Sequence, residues 1–358
     1  MAAALPSDEH DRTKEEAVTP PSSSQAFIHE LVRSTGASDP PSAMRQKAVA
    51  LIATYVASFG EPERPVNMEI LASLRGITRS DDAPLHSADA EIAPDGQGGV
   101  TMRVNPDRPL TRQRFSMAHE IAHTFFPEYE GKTWCRPNSR YRERSNPDDY
   151  IEMLCDRGAA ELLFPQPWFG IDAATVTGAA ALVDLADAYA ASREATLRRY
   201  AETSSGSLAV AFFSWKLKPT QKGIVGREAQ GNLFGITPED EIRGAIRLRI
   251  DYSIASPAFK RDGHFLPNDK SVESTGPIYD AASRGTPAQD DAYLDLGQAA
   301  GIYRVWAVPL WTPNDELGPK GENAVAAVLC PITVRKPPNR KGRSYHGPTL
   351  FDDTCDFK

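Results

Sequence analysis

Apolar and polar positions along the chain predict helices in the N-terminal half and strands in the C-terminal half. Residues 1–24 are rich in Ser, Pro, Asp, Glu and Lys, so we expect a disordered lead-in over residues 1–42. Beyond it, apolar residues recur every three to four positions, which predicts helices at residues 43–59, 67–74, 111–126, 150–164 and, as two segments, 179–202. Residues 81–99 and 128–149 are polar and predict loops. Val100–Val104 alternates apolar and polar residues and predicts a short strand.

The pattern changes to strands after residue 205. We expect strands at residues 208–215, 232–236, 245–250, 303–310 and 324–334. This change predicts a second domain of mixed α/β or mostly β character over residues 205–335, followed by a tail at 336–358. The helices of residues 173–204 would form a separate segment between the two domains, and the fold class is α+β.

Composition excludes several kinds of protein. The chain has 358 residues and a net charge of −8, so neither DNA nor an anionic membrane is expected as its main ligand. The four cysteines contain no CxxC pair, which fits a reducing compartment better than a disulfide scaffold. Neither a run of 18 apolar residues nor the apolar core of a secretory signal is present. We therefore expect a cytoplasmic protein without a membrane span.

One predicted helix carries the chemistry. Residues 111–126 contain His119-Glu120-Ile121-Ala122-His123. Side chains four apart lie one turn apart on the same helix face, so both imidazoles can reach one zinc ion. Glu120 can then act as general base, which is the HExxH pattern of zinc peptidases. The alternative is two surface histidines beside a solvated glutamate, but the apolar stripe of the same helix weakens it.

A catalytic zinc site normally takes three protein ligands. The longer pattern HExxHxxGxxH, which supplies a third histidine, is absent, because position 126 is Phe and position 129 is Tyr. The next histidine is His264 in the C-terminal half. We therefore expect a carboxylate from the following helix and predict Glu152 as the third ligand. Asp156 lies four residues further on the same face and would accept the free ring N–H of a ligand histidine. Zinc is the expected cofactor, although other divalent ions such as Mn²⁺ can share these ligands.

Other residues compete for roles in the site. Ordinary surface acids are the alternative interpretation of Glu152 and Asp156. Three other acids are rival ligands, namely Asp148, Asp149 and Glu161. The spacing of nine residues from Glu152 places Glu161 on the opposite side of the helix. Catalysis also needs a group that stabilises the oxyanion. Nothing in the sequence chooses among five candidates for it, which are Tyr141, Arg142, Arg144, Tyr150 and Arg157.

Two further segments invite functional interpretations. If the predicted strand lies at a sheet edge, the backbone of Val100, Met102 and Val104 could pair with an extended substrate. A core strand is the alternative. Residues 185–200 include three arginines and could bind DNA, but the acidic chain favours a structural or substrate-docking role for them.

The sequence resembles the ImmA/IrrE-type metallopeptidases. RFSMAHEIAHTFF at residues 114–126 is similar to the family's RRFTLAHELGH helix, and EMLCDRGAAELLFP at 152–165 to its E..AN.FAAELLMP segment. In that alignment Glu152 falls on the third zinc ligand. The looser similarity of GGVTMRVN and LADAYAASREATLRRY extends the resemblance to about residues 43–204. Asp156 stands where the family usually has Asn, Ala122 where it has Gly, and Gly158 where it has an aromatic residue. We expect the missing aromatic side chain at Gly158 to loosen the packing.

The resemblance implies a zincin-like metallopeptidase domain over residues 43–172, with a short sheet beside the HExxH helix. It also implies a protein substrate, since family members cleave a helix-turn-helix transcriptional repressor at one peptide bond. The alternative is a non-hydrolytic regulator, stabilised by a metal, that binds a repressor or DNA through residues 173–204. The intact Glu120 favours the enzyme, because a purely structural metal site needs no base.

Overall fold

The structure is a computed structural model of the chain. It describes residues 23–61, 64–80, 88–97, 99–127, 134–135, 146–166, 168–220, 244–310 and 324–334, together with Leu85 and Tyr129. These residues form two β-sheets with helices packed against both, so the expected α+β class is confirmed. None of the described helices combines the length and apolar character that crossing a bilayer requires.

Three helices open the fold. They are α1 (Ser23–Thr35), α2 (Pro40–Phe59) and α3 (Met68–Leu74). The last two match the helices predicted at 43–59 and 67–74. α1 buries Phe27, Ile28 and Leu31 in the core, so the expected disorder is wrong for residues 23–42. The prediction used average composition, which does not detect three apolar residues on one helix face. Residues 1–22 of the lead-in lie outside the described residues.

The first sheet has four strands in the order β1-β3-β2-β4. They are β1 (Ile77–Arg79), β2 (Ala90–Pro94), β3 (Val100–Val104) and β4 (Trp134–Cys135). β1 runs parallel to β3, and the other pairs are antiparallel. β2 and β4 lie where the sequence predicts loops, because strands this short carry little periodicity.

The position of β3 corrects one expectation. It lies between β1 and β2, so it is an interior strand and does not offer a free edge to a substrate. Val100, Met102 and Val104 are each at most 7% exposed and belong to the core. The structure therefore gives these residues the core-strand role that was the alternative.

Two helices cross beside this sheet, and they position the site. α4 (Leu110–His123) and α5 (Pro147–Leu163) match the predicted helices to within three residues at each end. A Cβ on Gly158 of α5 would lie 2.7 Å from the Cβ of Ala122 on α4 and 2.9 Å from Met44. The contact has no room for another carbon atom, so Gly158 tightens the packing and the expectation that it loosens it is wrong.

The next helices connect this part of the fold to the second sheet. They are α6 (Trp168–Ala174), α7 (Ala179–Ala188) and α8 (Arg193–Thr203). Ser192 caps α8: its side-chain oxygen accepts a hydrogen bond of 3.1 Å from the backbone N–H of Ala195. α7 and α8 both contact the second sheet.

The second sheet is antiparallel, in the order β6-β5-β9-β8-β7. Its strands are β5 (Ala209–Lys216), β6 (Arg247–Ala255), β7 (Ala288–Leu294), β8 (Gly301–Pro309) and β9 (Val325–Val334). Val210 and Phe212 of β5 face the helical core, whereas Ala211 and Phe213 face a second core. The second core lies under α10 (Pro277–Arg284), and the short helix α9 (Pro257–Arg261) follows β6.

Burial explains which of these strands the sequence predicts. β5, β8 and β9 are largely buried and match predicted strands within two residues. β6 begins two residues later and ends five residues later than predicted. β7 was not predicted, because most of its side chains face solvent and include two aspartates. The strand predicted at 232–236 lies outside the described residues.

A buried ion-pair cluster joins three helices behind the site. Glu161 of α5 accepts hydrogen bonds from Arg45 of α2 at 3.1 Å and from Arg199 of α8 at 2.5 Å. The side chains of Glu161 and Arg199 are only 3% and 7% exposed. Burial would raise the pKa of Glu161, but Arg199 and Arg45 outweigh it and lower the pKa below its ordinary value. Glu161 therefore points away from the histidines, as its spacing predicts.

Replacing Glu161 with Gln should lower the free energy of unfolding by about 3 kcal/mol, because Arg199 would stay buried with only Glu202, 3.8 Å away, as a charged partner. The native pKa of Glu161 is lowered, so its stabilising contribution is present above the unfolded-state pKa of about 4.3. That contribution is lost as the pH falls through the lower native value. Urea unfolding at about pH 7 and about pH 4 should therefore show a difference between wild type and variant that shrinks on acidification.

Glu69→Gln is the matched control, since it removes a carboxylate from an exposed pair with Arg79. Exposed pairs contribute little, so this variant should unfold like the wild type at both pH values. Equal stability of the two variants, or a Glu161→Gln difference that does not depend on pH, would contradict the role given to Glu161.

Candidate metal centre

The two histidines of the HExxH pattern lie side by side on α4. Their ring centroids are 5.0 Å apart, which follows from their spacing of four residues on one helix. His119, Glu120 and His123 are all 0% exposed. They are buried because the second half of α4 packs between α5 and strands β2 and β3 of the first sheet.

Glu152 of α5 meets both histidines. Its Oε2 lies 3.2 Å from Nε2 of His119, and its Oε1 lies 3.3 Å from Nε2 of His123. One carboxylate therefore spans the pair, each oxygen facing one imidazole. The structure brings together the three residues that the sequence analysis selects as metal ligands.

Each histidine also has a partner for its other ring nitrogen. Asp156 Oδ1 lies 2.9 Å from Nδ1 of His119, and Cys155 Sγ lies 3.3 Å from Nδ1 of His123. Glu152, Cys155 and Asp156 are spaced i, i+3 and i+4, so they share one face of α5. Cys155 is not among the residues predicted from the sequence, although its spacing of three residues from Glu152 is a signal that could have identified it.

Charges inside the centre shift the pKa values of its members. Burial would lower the pKa of His119, but hydrogen bonds with Asp156 and Glu152 outweigh it and raise the pKa to about 9. Burial does lower the pKa of His123. Burial would raise the pKa of Glu152, yet hydrogen bonds from the two histidines bring it well below its ordinary value. The centre thus holds negative charge on α5 and attracts positive charge to α4.

These donors fit a divalent metal ion. His119, His123 and Cys155 form a buried group whose ligand atoms are close enough to hold one. The separations between Glu152 and the imidazoles suit a metal as well, because two ligands about 2.1 Å from one tetrahedral zinc ion are about 3.4 Å apart. Glu152 faces the two Nε2 atoms together, whereas Cys155 faces Nδ1 of His123 alone. The geometry favours the set with the carboxylate.

The rival residues lie elsewhere or outside the described part of the chain. Asp148 accepts a hydrogen bond from Ser24 of α1, and Glu161 belongs to the cluster with Arg45 and Arg199. Tyr150 packs against the main core. Of the remaining oxyanion candidates, Arg157 lines a cavity beside the centre, and Tyr141, Arg142 and Arg144 are outside the described residues.

That cavity lies between α4, α5 and α8 and has a volume of about 430 Å³. Asp156 forms part of its wall, so the cavity adjoins the residue that contacts His119. Phe115, whose ring centroid is 6.4 Å from that of His119, forms another part. The remaining wall combines apolar side chains with arginines and with the carboxylates of Glu194 and Glu202. A largely apolar wall with a few polar groups is common in small binding cavities.

Comparison with known proteins identifies the region that contains this centre. Residues 81–200 match the family model of the IrrE N-terminal-like domain, which belongs to peptidase family M78. Among solved structures, a Mycobacterium tuberculosis transcriptional regulator is similar at 12% identity with a TM-score of 0.44, over 85% of this chain and 79% of that one. A search of curated proteins finds no match. The resemblance to the ImmA/IrrE family is therefore confirmed over residues 81–200, which are similar to an IrrE N-terminal-like domain.

Proposed function

We propose that this chain is a zinc-dependent endopeptidase that makes a site-specific cut in a protein partner. His119, His123 and Glu152 would hold the ion. The observation that carries the proposal is the pair of contacts, 3.2 and 3.3 Å long, between the oxygens of Glu152 and the two Nε2 atoms. The match to an M78 peptidase domain supports peptide hydrolysis as the chemistry. Manganese and other divalent ions are alternatives, because they accept the same ligand types.

A zinc ion bound there would polarise the carbonyl group of the scissile bond and make a water molecule more acidic. Glu120 would take the proton of the attacking water and return it to the leaving amine. Its carboxylate is 0% exposed and follows His119 on α4, so bulk solvent does not compete for its oxygens. Asp156 would hold the proton of His119 on Nδ1 and so leave the Nε2 lone pair available.

The substrate we propose is a helix-turn-helix transcriptional repressor. This choice rests on the resemblance to the ImmA/IrrE peptidases. The cavity beside the centre supports a protein substrate, because it is large enough to receive one side chain of an extended segment. Its largely apolar wall suits an apolar side chain.

The non-hydrolytic alternative loses support from the helical segment. Arg193 donates a hydrogen bond to the backbone of β8, and Arg198 donates to Glu194 and Tyr252. Arg199 is buried against Glu161. These arginines are engaged inside the protein, whereas DNA binding requires cations that face the phosphates.

Replacing Glu120 with Gln should preserve zinc binding and lower cleavage by at least about 100-fold, because an amide cannot take the proton. The assay incubates the full chain with helix-turn-helix repressors encoded beside its gene, with and without a chelator, and reads the fragments by mass. Cleavage by the variant at the wild-type rate, or cleavage by the wild type in chelator, would overturn the proposed mechanism.

Replacing Glu152 with Ala should weaken zinc binding by more than about 100-fold. Loss of a hydrogen-bond partner of a ligand weakens metal binding by up to about 100-fold, and loss of a ligand itself should weaken it more. Competition with a chromophoric chelator measures the affinity. Asp148→Ala is the matched control, since it removes from the first turn of the same helix a carboxylate that contacts Ser24 of α1. Similar affinities for the two variants would rule out Glu152 as a ligand.

Filling the cavity should affect the substrate without affecting the metal. Ala195→Trp on α8 should raise KM for the cleaved protein about 10-fold, the loss of one contact of about 1.4 kcal/mol, and leave zinc affinity unchanged. Ala188→Trp on the exposed side of α7 is the control and should leave KM unchanged. Equal KM values for both variants would show that the substrate docks elsewhere.

A further inference from the structure

Cys155 occupies an unusual place for a thiol. It is 0% exposed, and its sulfur lies 3.3 Å from Nδ1 of His123. It also shares the face of α5 that carries Glu152 and Asp156. The two ring nitrogens of an imidazole point to opposite sides of the ring, so Cys155 meets the side of His123 that faces away from Glu152.

This placement makes Cys155 a poor candidate for a ligand in the set that includes Glu152. Glu152 faces Nε2 of His123 and the sulfur of Cys155 faces Nδ1, so the carboxylate and the thiol lie on opposite sides of the His123 ring. Nδ1 of His123 is then free of the metal and carries the ring proton, because the Nε2 lone pair is the one that binds. A buried N–H requires an acceptor, and the sulfur is within reach of it.

We propose that Cys155 is the positioning residue of His123, holding the ring through an Nδ1–H···Sγ hydrogen bond. This inference rests on the proposed metal centre. Asp156 would do the same for His119 through its carboxylate, 2.9 Å from Nδ1. The two histidines are thus held from the same helix face by two different acceptors, one charged and one neutral.

A neutral acceptor suits this position electrostatically. Glu152 and Asp156 are only 14% and 15% exposed and Glu120 is 0% exposed, so the centre already holds three carboxylates in a largely desolvated space. Their combined charge exceeds that of one divalent cation. A fourth carboxylate beside His123 would add a further buried charge without a partner, which is costly. The thiol accepts the hydrogen bond without adding charge.

Packing keeps the thiol in place. Cys155 belongs to the main core, three residues before Gly158, where α4 and α5 pack without room for another carbon atom. The sulfur is therefore held between the two helices, and its distance from His123 is set by the same contact that places Glu152.

The test measures zinc affinity of the full chain by chelator competition in Cys155→Ala and Cys155→Ser. The Ala variant should bind zinc about 10-fold more weakly, as loss of an outer partner typically does, and the Ser variant should recover most of that loss because its hydroxyl accepts a hydrogen bond. Cys330→Ala removes a free thiol that lies outside the metal centre and should bind zinc like the wild type.

Two spectroscopic measurements separate positioning from other roles. In the zinc-loaded wild type, ¹⁵N NMR should show the His123 proton on Nδ1, protected from exchange, and the protection should fall in Cys155→Ala and return in Cys155→Ser. With Co²⁺, a sulfur-to-metal charge-transfer band that disappears in Cys155→Ala would make Cys155 a ligand and overturn the inference. Wild-type affinity and exchange in Cys155→Ala would overturn it too.

These outcomes separate the inference from the proposed function. If Glu152→Ala binds zinc normally, the metal centre itself is wrong. If Glu152→Ala loses zinc while Cys155→Ala keeps wild-type affinity and exchange, the metal centre stands and the role of Cys155 falls.

Discussion

The close contact between α4 and α5 is the constraint on which the candidate site depends. Ala122 and Gly158 meet where a further carbon atom would come within 2.7 Å of its neighbour. Six residues before Gly158, the same approach places Glu152 against both histidines. Wider separation of the helices would leave two imidazoles and two carboxylates buried without each other, and buried polar groups without partners are strongly destabilising.

The same contact explains two departures from the family pattern that looked unrelated in the sequence. Ala122 adds a methyl group to α4 where relatives usually have glycine, and Gly158 removes a side chain from α5 where they have an aromatic residue. In the structure these two positions face each other. The methyl group gained at Ala122 is accommodated by the side chain lost at Gly158. The sequence of either helix alone does not show this relation.

The part of the site that the sequence predicts is the part that helix geometry determines locally. A spacing of four residues places His119 beside His123 and Asp156 beside Glu152, whatever the rest of the fold does. Strand order is not determined locally in this way. β3 is an interior strand because it pairs with β1 and β2, which lie more than five residues away along the chain. Cys155 could not be assigned a role from the sequence, because its role depends on which side of the His123 ring it faces. Only the three-dimensional structure shows that side.

The second sheet approaches the site through one layer of side chains. Arg198 of α8 lies with its guanidinium 4.6 Å from the ring of Tyr252 on β6, and it also lines the cavity beside the centre. Asp156 forms part of the same cavity and contacts His119. A shift of α8 relative to α5 would therefore change the surroundings of Asp156 before it reached any other member of the centre. Since Asp156 contacts Nδ1 of His119, the cavity wall is where the C-terminal half can influence the geometry of the histidine pair.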